Sequence, residues 1–247
     1  MVLFEDNNLP LEVQMQYLRP ARLEERARAF PVVYVPFGLI EWHGRHLPLG
    51  NDALKAHAVL CKCAEAYGGV VYPPQWMSAD FKCREQLTAV YSELFGKLKR
   101  MGFRVIIAVS GHNIDAQIEM LDRALQSLVA GGSVRGWAGW EMSLSKCGDS
   151  DSDHAAKWET SNMLFFYPGL VDMAALGDGP LRLDMGRPDG IGGLDPRAHA
   201  SAEVGRRNCE LAAQSIGEKA RELLGSLPPG QRGFNVKEIS PEHWWEI

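Results

Sequence analysis

The chain has 247 residues, 46% hydrophobic and 23% charged, with a formal net charge of −5 at pH 7. That length is ample for a sizeable core, and the composition is ordinary for a globular protein that dissolves in water. The acidic balance argues against a nucleic-acid partner, no run approaches the roughly 18 apolar residues of a membrane span, and the start MVLFEDNNLPLEV lacks a basic-then-apolar signal pattern, so the expected setting is cytoplasmic.

Residues 1–30 read as an extended stretch followed by a short charged helix, Ala21–Ala29. The apolar run Val32–Phe37 predicts a buried strand that stops at Gly38. Asp52–Tyr67 has apolar residues at helical spacing and ends at Gly68-Gly69. Val70–Tyr72 is a short second strand, stopped by Pro73-Pro74. Residues 84–101 form an amphipathic helix closed by Gly102. Arg104–Val109 is a third buried strand, leading into Ser110-Gly111-His112-Asn113. Ala116–Val129 is helical and stops at Gly131-Gly132. Val134–Met142 reads as a fourth strand, 143–153 as a polar loop and Ala155–Phe166 as a helix ending before Pro168. Residues 177–199, rich in Gly, Pro and Asp, read as a long functional loop. Ala200–Leu224 is the last long helix, and the chain ends in HWWEI.

Strands alternating with helices predict an α/β fold with a mainly parallel sheet and helices on both faces. No composition break marks a boundary, so residues 1–247 are expected to form a single domain. The five cysteines, Cys61, Cys63, Cys83, Cys147 and Cys209, are odd in number and scattered, which predicts reduced side chains.

Chemistry gathers where the predicted strands end. The first delivers Glu41, His43, His46 and Asp52 in a loop shaped by Gly44, Pro48 and Gly50. The third delivers His112. After the fourth come Asp153, His154 and Glu159. In a parallel sheet those ends lie along one edge, so the groups can converge. Glu41 and His43 are two apart and in extended backbone face one way. Taken one at a time, each has a plain alternative. Asp52 suits a helix N-cap as well as a ligand, and His112 suits a turn histidine bonded to backbone. His154 suits a helix-start residue, and Glu159 a solvated helix position. His46, His57 and His199 have weaker cases. Together, carboxylates and imidazoles without a thiolate suit Zn(II), Mn(II) or Fe(II), and a carboxylate can bridge two ions. Competing signatures are missing: there is no phosphate-binding Gly-x-x-x-x-Gly-Lys, no His-Glu-x-x-His and no Gly-x-Ser-x-Gly, and Gly190-Ile-Gly-Gly follows no clear strand.

The stretch GLIEWHGRHLPLGND, residues 38–52, resembles the signature of the creatininase (creatinine amidohydrolase) family, in which a strand leads into Glu-x-His-Gly-x-His-Leu-Pro and then an Asp. Ser110-Gly-His112-Asn113 resembles the family's Asn-Gly-His turn. His154-Ala-Ala-Lys-Trp-Glu159-Thr-Ser resembles its His-Ala-Gly-x-x-Glu-Thr-Ser segment, and Gly190-Ile-Gly-Gly-Leu-Asp-Pro its late glycine-rich loop. The resemblance implies a three-layer α/β/α fold, two divalent ions per subunit (zinc or manganese, with iron possible) and a homo-oligomer, usually a hexamer. It implies metal ligands at Glu41, His43, Asp52, His112 and Glu159, with Asp52 as the bridge. It further implies proton transfer by His154, with Asp153 orienting it. Trp42, Arg45, His46 and Asn113 are then the expected substrate contacts.

Several positions depart from the family pattern. Trp42 replaces a common Gln, Arg45 replaces a proline, and Ile114 stands where creatininase has a glutamate ligand, which leaves either Glu159 as the fifth ligand or a weak second metal site. The expected reaction is hydrolysis by metal-activated water attacking a carbonyl or amidine carbon of a small cyclic substrate, cleaving a C–N bond. Two alternatives stay open: ring-opening C–C hydrolysis of a cyclic diketone such as a keto-inositol, and a non-catalytic member that binds metal or ligand without turnover.

Overall fold

Two apolar runs of the sequence pair with each other. In the computed structural model, which describes residues 6–144, 153–184, 189–236 and 240–246, strand β1 (Val32–Phe37) runs parallel to β3 (Val105–Ser110). Their register goes from Val32↔Val105 to Phe37↔Ser110. The sheet order is β2-β1-β3-β4, with β2 at Val70–Val71 and β4 at Arg135–Trp140, and the pairings are parallel throughout. Ser110 pairs with Trp140 on β4. The ends Phe37, Ser110 and Trp140 are therefore level, and the loops that follow leave the sheet along one edge.

Pro36 sits inside the central strand β1, where a missing N–H normally breaks the ladder. The cost is avoided because β2 has already stopped. Gln75 N–H donates to the Pro36 carbonyl, and the Gln75 side-chain amide donates to the Pro73 carbonyl.

Alternate strand residues go to opposite faces. Val32, Tyr34, Val105, Ile107 and Val109 pack with α2 (Asn51–Tyr67), α5 (Lys157–Phe166) and α7 (Ala202–Gly225). Val33, Val35, Phe37, Ile106 and Ala108 pack with α1 (Pro20–Ala29), α3 (Arg84–Arg100) and α4 (Asp115–Val129). This is the three-layer α/β/α arrangement. Each fully buried Val, Leu, Ile or Phe contributes roughly 1.5–3 kcal/mol. The remaining helices are short: α6 at Pro196–His199 and α8 at Pro241–Glu246.

The differences from the sequence reading are local. Helix α2 begins at Asn51 with Gly50 as its N-cap, so Asp52 lies in the first turn and is not the cap. Strand β4 ends at Trp140, and Glu141 to Leu144 form a turn. Helix α5 begins at Lys157, because Ala155 takes a left-handed φ of 51° and Ala156 is extended. Within 177–199 a β-bridge joins Gly192 to His154. Cys61, Cys63, Cys83 and Cys209 are free, as expected, whereas Cys147 and most of the polar loop lie outside the described residues. Trp244 is 39% exposed in α8. Among the described residues no helix is long and apolar enough to cross a membrane.

Candidate metal centre

The edge where β1, β3 and β4 end carries a buried cluster. β1 leads to Glu41 and His43. The first turn of α2 supplies Asp52, the turn after β3 supplies His112, and the first turn of α5 supplies Glu159. Asp52, His43 and Glu159 are 1%, 0% and 5% exposed. The Glu159 alternative of a solvated helix position therefore falls.

Asp52 is the centre of the geometry. Its Oδ1 lies 3.0 Å from His43 Nε2, and its Oδ2 lies 3.2 Å from His112 Nδ1. On one side, Glu41 Oε1 is 2.9 Å from His112 Nδ1; on the other, Glu159 Oε2 is 3.4 Å from His43 Nε2. Two groups of potential ligand atoms result, Glu41–Asp52–His112 and His43–Asp52–Glu159, each within 4.8 Å of one another. They share Asp52 and use a different oxygen of it. A third group of the same tightness joins Glu41, His43 and His154.

The electrostatics ask for positive charge. Burial pushes the His112 imidazole down, but Asp52 and Glu41 outweigh it and bring it up to about 10. His43 follows the same pattern: burial lowers it, Glu159 and Asp52 win, and it ends raised. Burial works against the Asp52 carboxylate, yet His112, His43 and Lys55 draw its carboxyl well below the usual range. Protons satisfy such a cluster poorly. His43 Nε2 and Asp52 Oδ2 are buried without an aligned hydrogen-bond partner, a state that costs free energy unless something else fills it. Buried imidazole and carboxylate atoms converging without hydrogen-bond alignment fit a divalent cation, and the all-nitrogen-and-oxygen donor set suits zinc or manganese.

Three groups behind the ligands were not identified from sequence. Asp80 Oδ2 lies 2.7 Å from His112 Nε2 and also accepts from Ser78 Oγ. Lys55 is fully buried on α2 and pairs with Glu159 and with Glu141, which follows β4. The only sequence signal for Lys55 is its position three residues after Asp52, on the same helix face.

His154 stacks on His43 with ring centroids 4.4 Å apart. Its Nε2–H donates to the Trp42 carbonyl at 2.8 Å. The neutral ring then keeps its lone pair on Nδ1. Asp153, expected to orient this ring, does something else. Its two oxygens accept from the Trp158 and Glu159 amides and so cap α5. Burial, then the nearby Glu159 charge, raises the Asp153 carboxyl to about 6. The group that holds His154 is the Trp42 carbonyl.

A cavity of about 250 Å³ opens on the cluster, lined by Glu41, Asp52, His112, Asn113, Ile114 and His154 among others. Asn113 thus lies where expected. His46 does not: it is 1% exposed, lies away from this lining, and its Nε2 meets Thr160 Oγ1 at 2.8 Å. Burial, and then His43, push the His46 imidazole down to about 4, so it is a neutral framework residue. Arg45 is exposed and also stands outside the lining. The Trp42 indole is half-exposed, and its Nε1–H points to the Asp189 carbonyl at 3.4 Å. Gly190 (φ 61°) packs so closely that a Cβ there would sit 2.3 Å from Trp42 Cδ1. The glycine loop is thereby clamped to Trp42, and through Gly192 to His154.

Comparison with known proteins gives the family. The profile of the creatininase family, described as creatinine amidohydrolase, matches residues 16–219. Creatinine amidohydrolase of Pseudomonas putida is 25% identical over 250 residues, covering 80% of this chain and 90% of that protein. A mycofactocin precursor peptide peptidase of Mycolicibacterium smegmatis is 31% identical over 157 residues, covering 57% of this chain and 60% of that protein. Among solved structures, a manganese creatininase superposes with a TM-score of 0.68 at 26% identity, covering 88% of this chain and 99% of that one. A zinc–zinc form of a creatininase mutant gives 0.65 at 26% identity, over 88% and 99% of the two chains. A profile match that starts ahead of α1 and ends inside α7, spanning the whole sheet, places the chain in the creatininase family of metal-dependent hydrolases.

Proposed function

We propose that this chain hydrolyses the C–N bond of a small cyclic amide, using two divalent ions per chain, zinc or manganese. The observation that carries the reading is the division of Asp52 between two ligand groups. In this reading Glu41, Asp52 and His112 hold one ion, and His43, Asp52 and Glu159 the other. When bound, such a pair supplies Lewis acidity and a water nucleophile at neutral pH.

The rest is work for the chain. His154, its Nε2–H fixed on the Trp42 carbonyl, keeps Nδ1 free to take a proton from water and return it to the leaving nitrogen. Asn113 Oδ1 is buried without a hydrogen-bond partner beside the cavity and suits an N–H of the substrate. A cavity of about 250 Å³ falls below the range of drug-sized sites, which favours a small ring over a long peptide. The names of the relatives, an amidohydrolase and a peptidase, support C–N cleavage. The family likeness also supports a homo-oligomer, with a hexamer as the form to look for by light scattering.

The test is elemental analysis of protein purified without chelator, followed by a screen of creatinine, other cyclic amides, dipeptides and keto-inositols. Two ions per chain are expected. Turnover of a cyclic amide should vanish with chelator and return with Zn(II) or Mn(II). His154→Ala should keep both ions and lose about 10²–10⁴ in rate. Turnover confined to keto-inositols would move the reaction to C–C hydrolysis. A chain that takes up no ion and regains nothing with added metal would end the reading.

A further inference from the structure

Helix α2 carries a lysine where its buried face meets the cluster. Lys55 is 1% exposed. Its Nζ lies 2.5 Å from Glu159 Oε1 and 3.1 Å from Glu141 Oε1. Glu141 is itself 2% exposed, and neither of its oxygens has an aligned hydrogen bond. As a fold stabiliser this arrangement is poor. Desolvating an ammonium and two carboxylates costs about as much as their attraction returns, and apolar residues of similar size hold a core equally well. Its placement therefore calls for another reason.

Glu159 supplies it. Oε1 is held by Lys55. Oε2 accepts from the Ala155 amide at 2.7 Å and is the oxygen that faces His43 Nε2. Ala155 can point its amide there because it takes the left-handed φ of 51° at the start of α5. The carboxylate is thus gripped at both ends and cannot turn both oxygens towards His43 and Asp52.

We propose that Lys55, braced by Glu141, is a positioning residue that restricts Glu159 to one-oxygen ligation. With His43, Asp52 and one oxygen of Glu159, an ion keeps a position open for water or substrate. With both oxygens of Glu159 it loses that position. The inference rests on the two-ion reading above and concerns only the residues that hold Glu159 from behind. Lys55 makes the site bind its ion less tightly than these ligands allow and keeps it reactive.

The experiment is a titration of Zn(II) into chelator-stripped protein, with zinc-edge X-ray absorption on the loaded form. It uses the wild-type chain, Lys55→Met and the double variant Lys55→Met/Glu141→Gln. Lys55→Met leaves Glu141 buried and unpaired and can fail to fold; the double variant removes both charges and keeps the test alive. The wild-type chain should show two binding steps. In the variants one step should tighten on the order of tenfold, the other should stay unchanged, and the absorption spectrum should gain an oxygen neighbour. Turnover should fall although the ion is held more tightly, which a merely structural lesion cannot produce. Two steps identical to wild type, or both weakened together, would overturn the inference alone. A wild-type chain that binds no ion would overturn the two-ion reading and this inference with it.

Discussion

His112 is held from both sides. Its Nδ1 faces Glu41 and Asp52, while Nε2–H donates to Asp80. A carboxylate behind a ligand imidazole fixes its tautomer and ring plane, and its loss typically costs 10–100-fold in metal affinity or activity. Asp80→Asn is expected to weaken the Glu41–Asp52–His112 ion by about that factor and to leave the His43 side alone, which competition against a chelator reads directly. Glu41, His43 and His112 were legible in the sequence because they follow apolar runs, where topology sends them to one edge, whereas Asp52 reads equally well as a cap and Glu159, inside a helix, was singled out by the family resemblance. Asp80 was not. It lies in an irregular stretch after β2, and no spacing links it to His112. Lys55 was missed for a different reason: a lysine on a helix is almost always solvated, and only Glu141 and Glu159 together make this one an exception.

At the level of elements, the site depends on how closely α2 approaches the turn after β3. A Cβ on Gly111 would sit 2.1 Å from the Asp52 carbonyl oxygen. Any side chain there must drive the first turn of α2, and Asp52 with it, away from His112. Gly111→Ala should cost at least about 2 kcal/mol of stability and lower Tm by roughly 4–8 °C. Its ion uptake should fall even at temperatures where the fold is intact. An unshifted melt with normal uptake would mean that the helix end gives way at no cost. The same geometry explains why helix starts were the weakest part of the sequence reading. Asp52 has the composition of an N-cap, but the helix begins at Asn51 with Gly50 in the cap position, and the Asp52 carboxylate is turned into the cluster. Helix α5 shows the converse. Its capping carboxylate comes from Asp153, upstream of a left-handed alanine that no pattern announces.

Across the whole molecule, α2 lies on the sheet with α5 and α7 packed beside it, and His57 is buried on it, its Nε2 3.5 Å from Cys61 Sγ. Burial lowers its imidazole from the usual 6.5 to about 4. Between those values the unfolded chain binds a proton that the folded chain refuses. Stability is therefore full above pH 6.5, declines as pH falls towards 4, and levels off below. The loss from this one group is on the order of 3 kcal/mol. His57→Leu should flatten the decline by that amount in urea melts run with chelator, so that ion release does not enter. A variant that keeps the full acid slope would assign the effect elsewhere, with His46 the next buried imidazole in line. The layers themselves were the most legible feature of the chain, because continuous apolar runs alternating with period-3.6 helices announce a parallel sheet covered on both faces. What the pattern could not supply was depth, meaning which polar residues the layers enclose.

The clamp among Trp42, His154 and the glycine loop has an evolutionary consequence. His154 hangs from the Trp42 backbone on one side and from Gly192 on the other, and the Trp42 indole lies on Gly190. Lengthening or shortening that loop to admit a new substrate displaces His154 in the same stroke. A lineage built this way can explore new substrates cheaply only by exchanging side chains around the rim, at positions such as Asn113 and Ile114, with the loop's length kept constant.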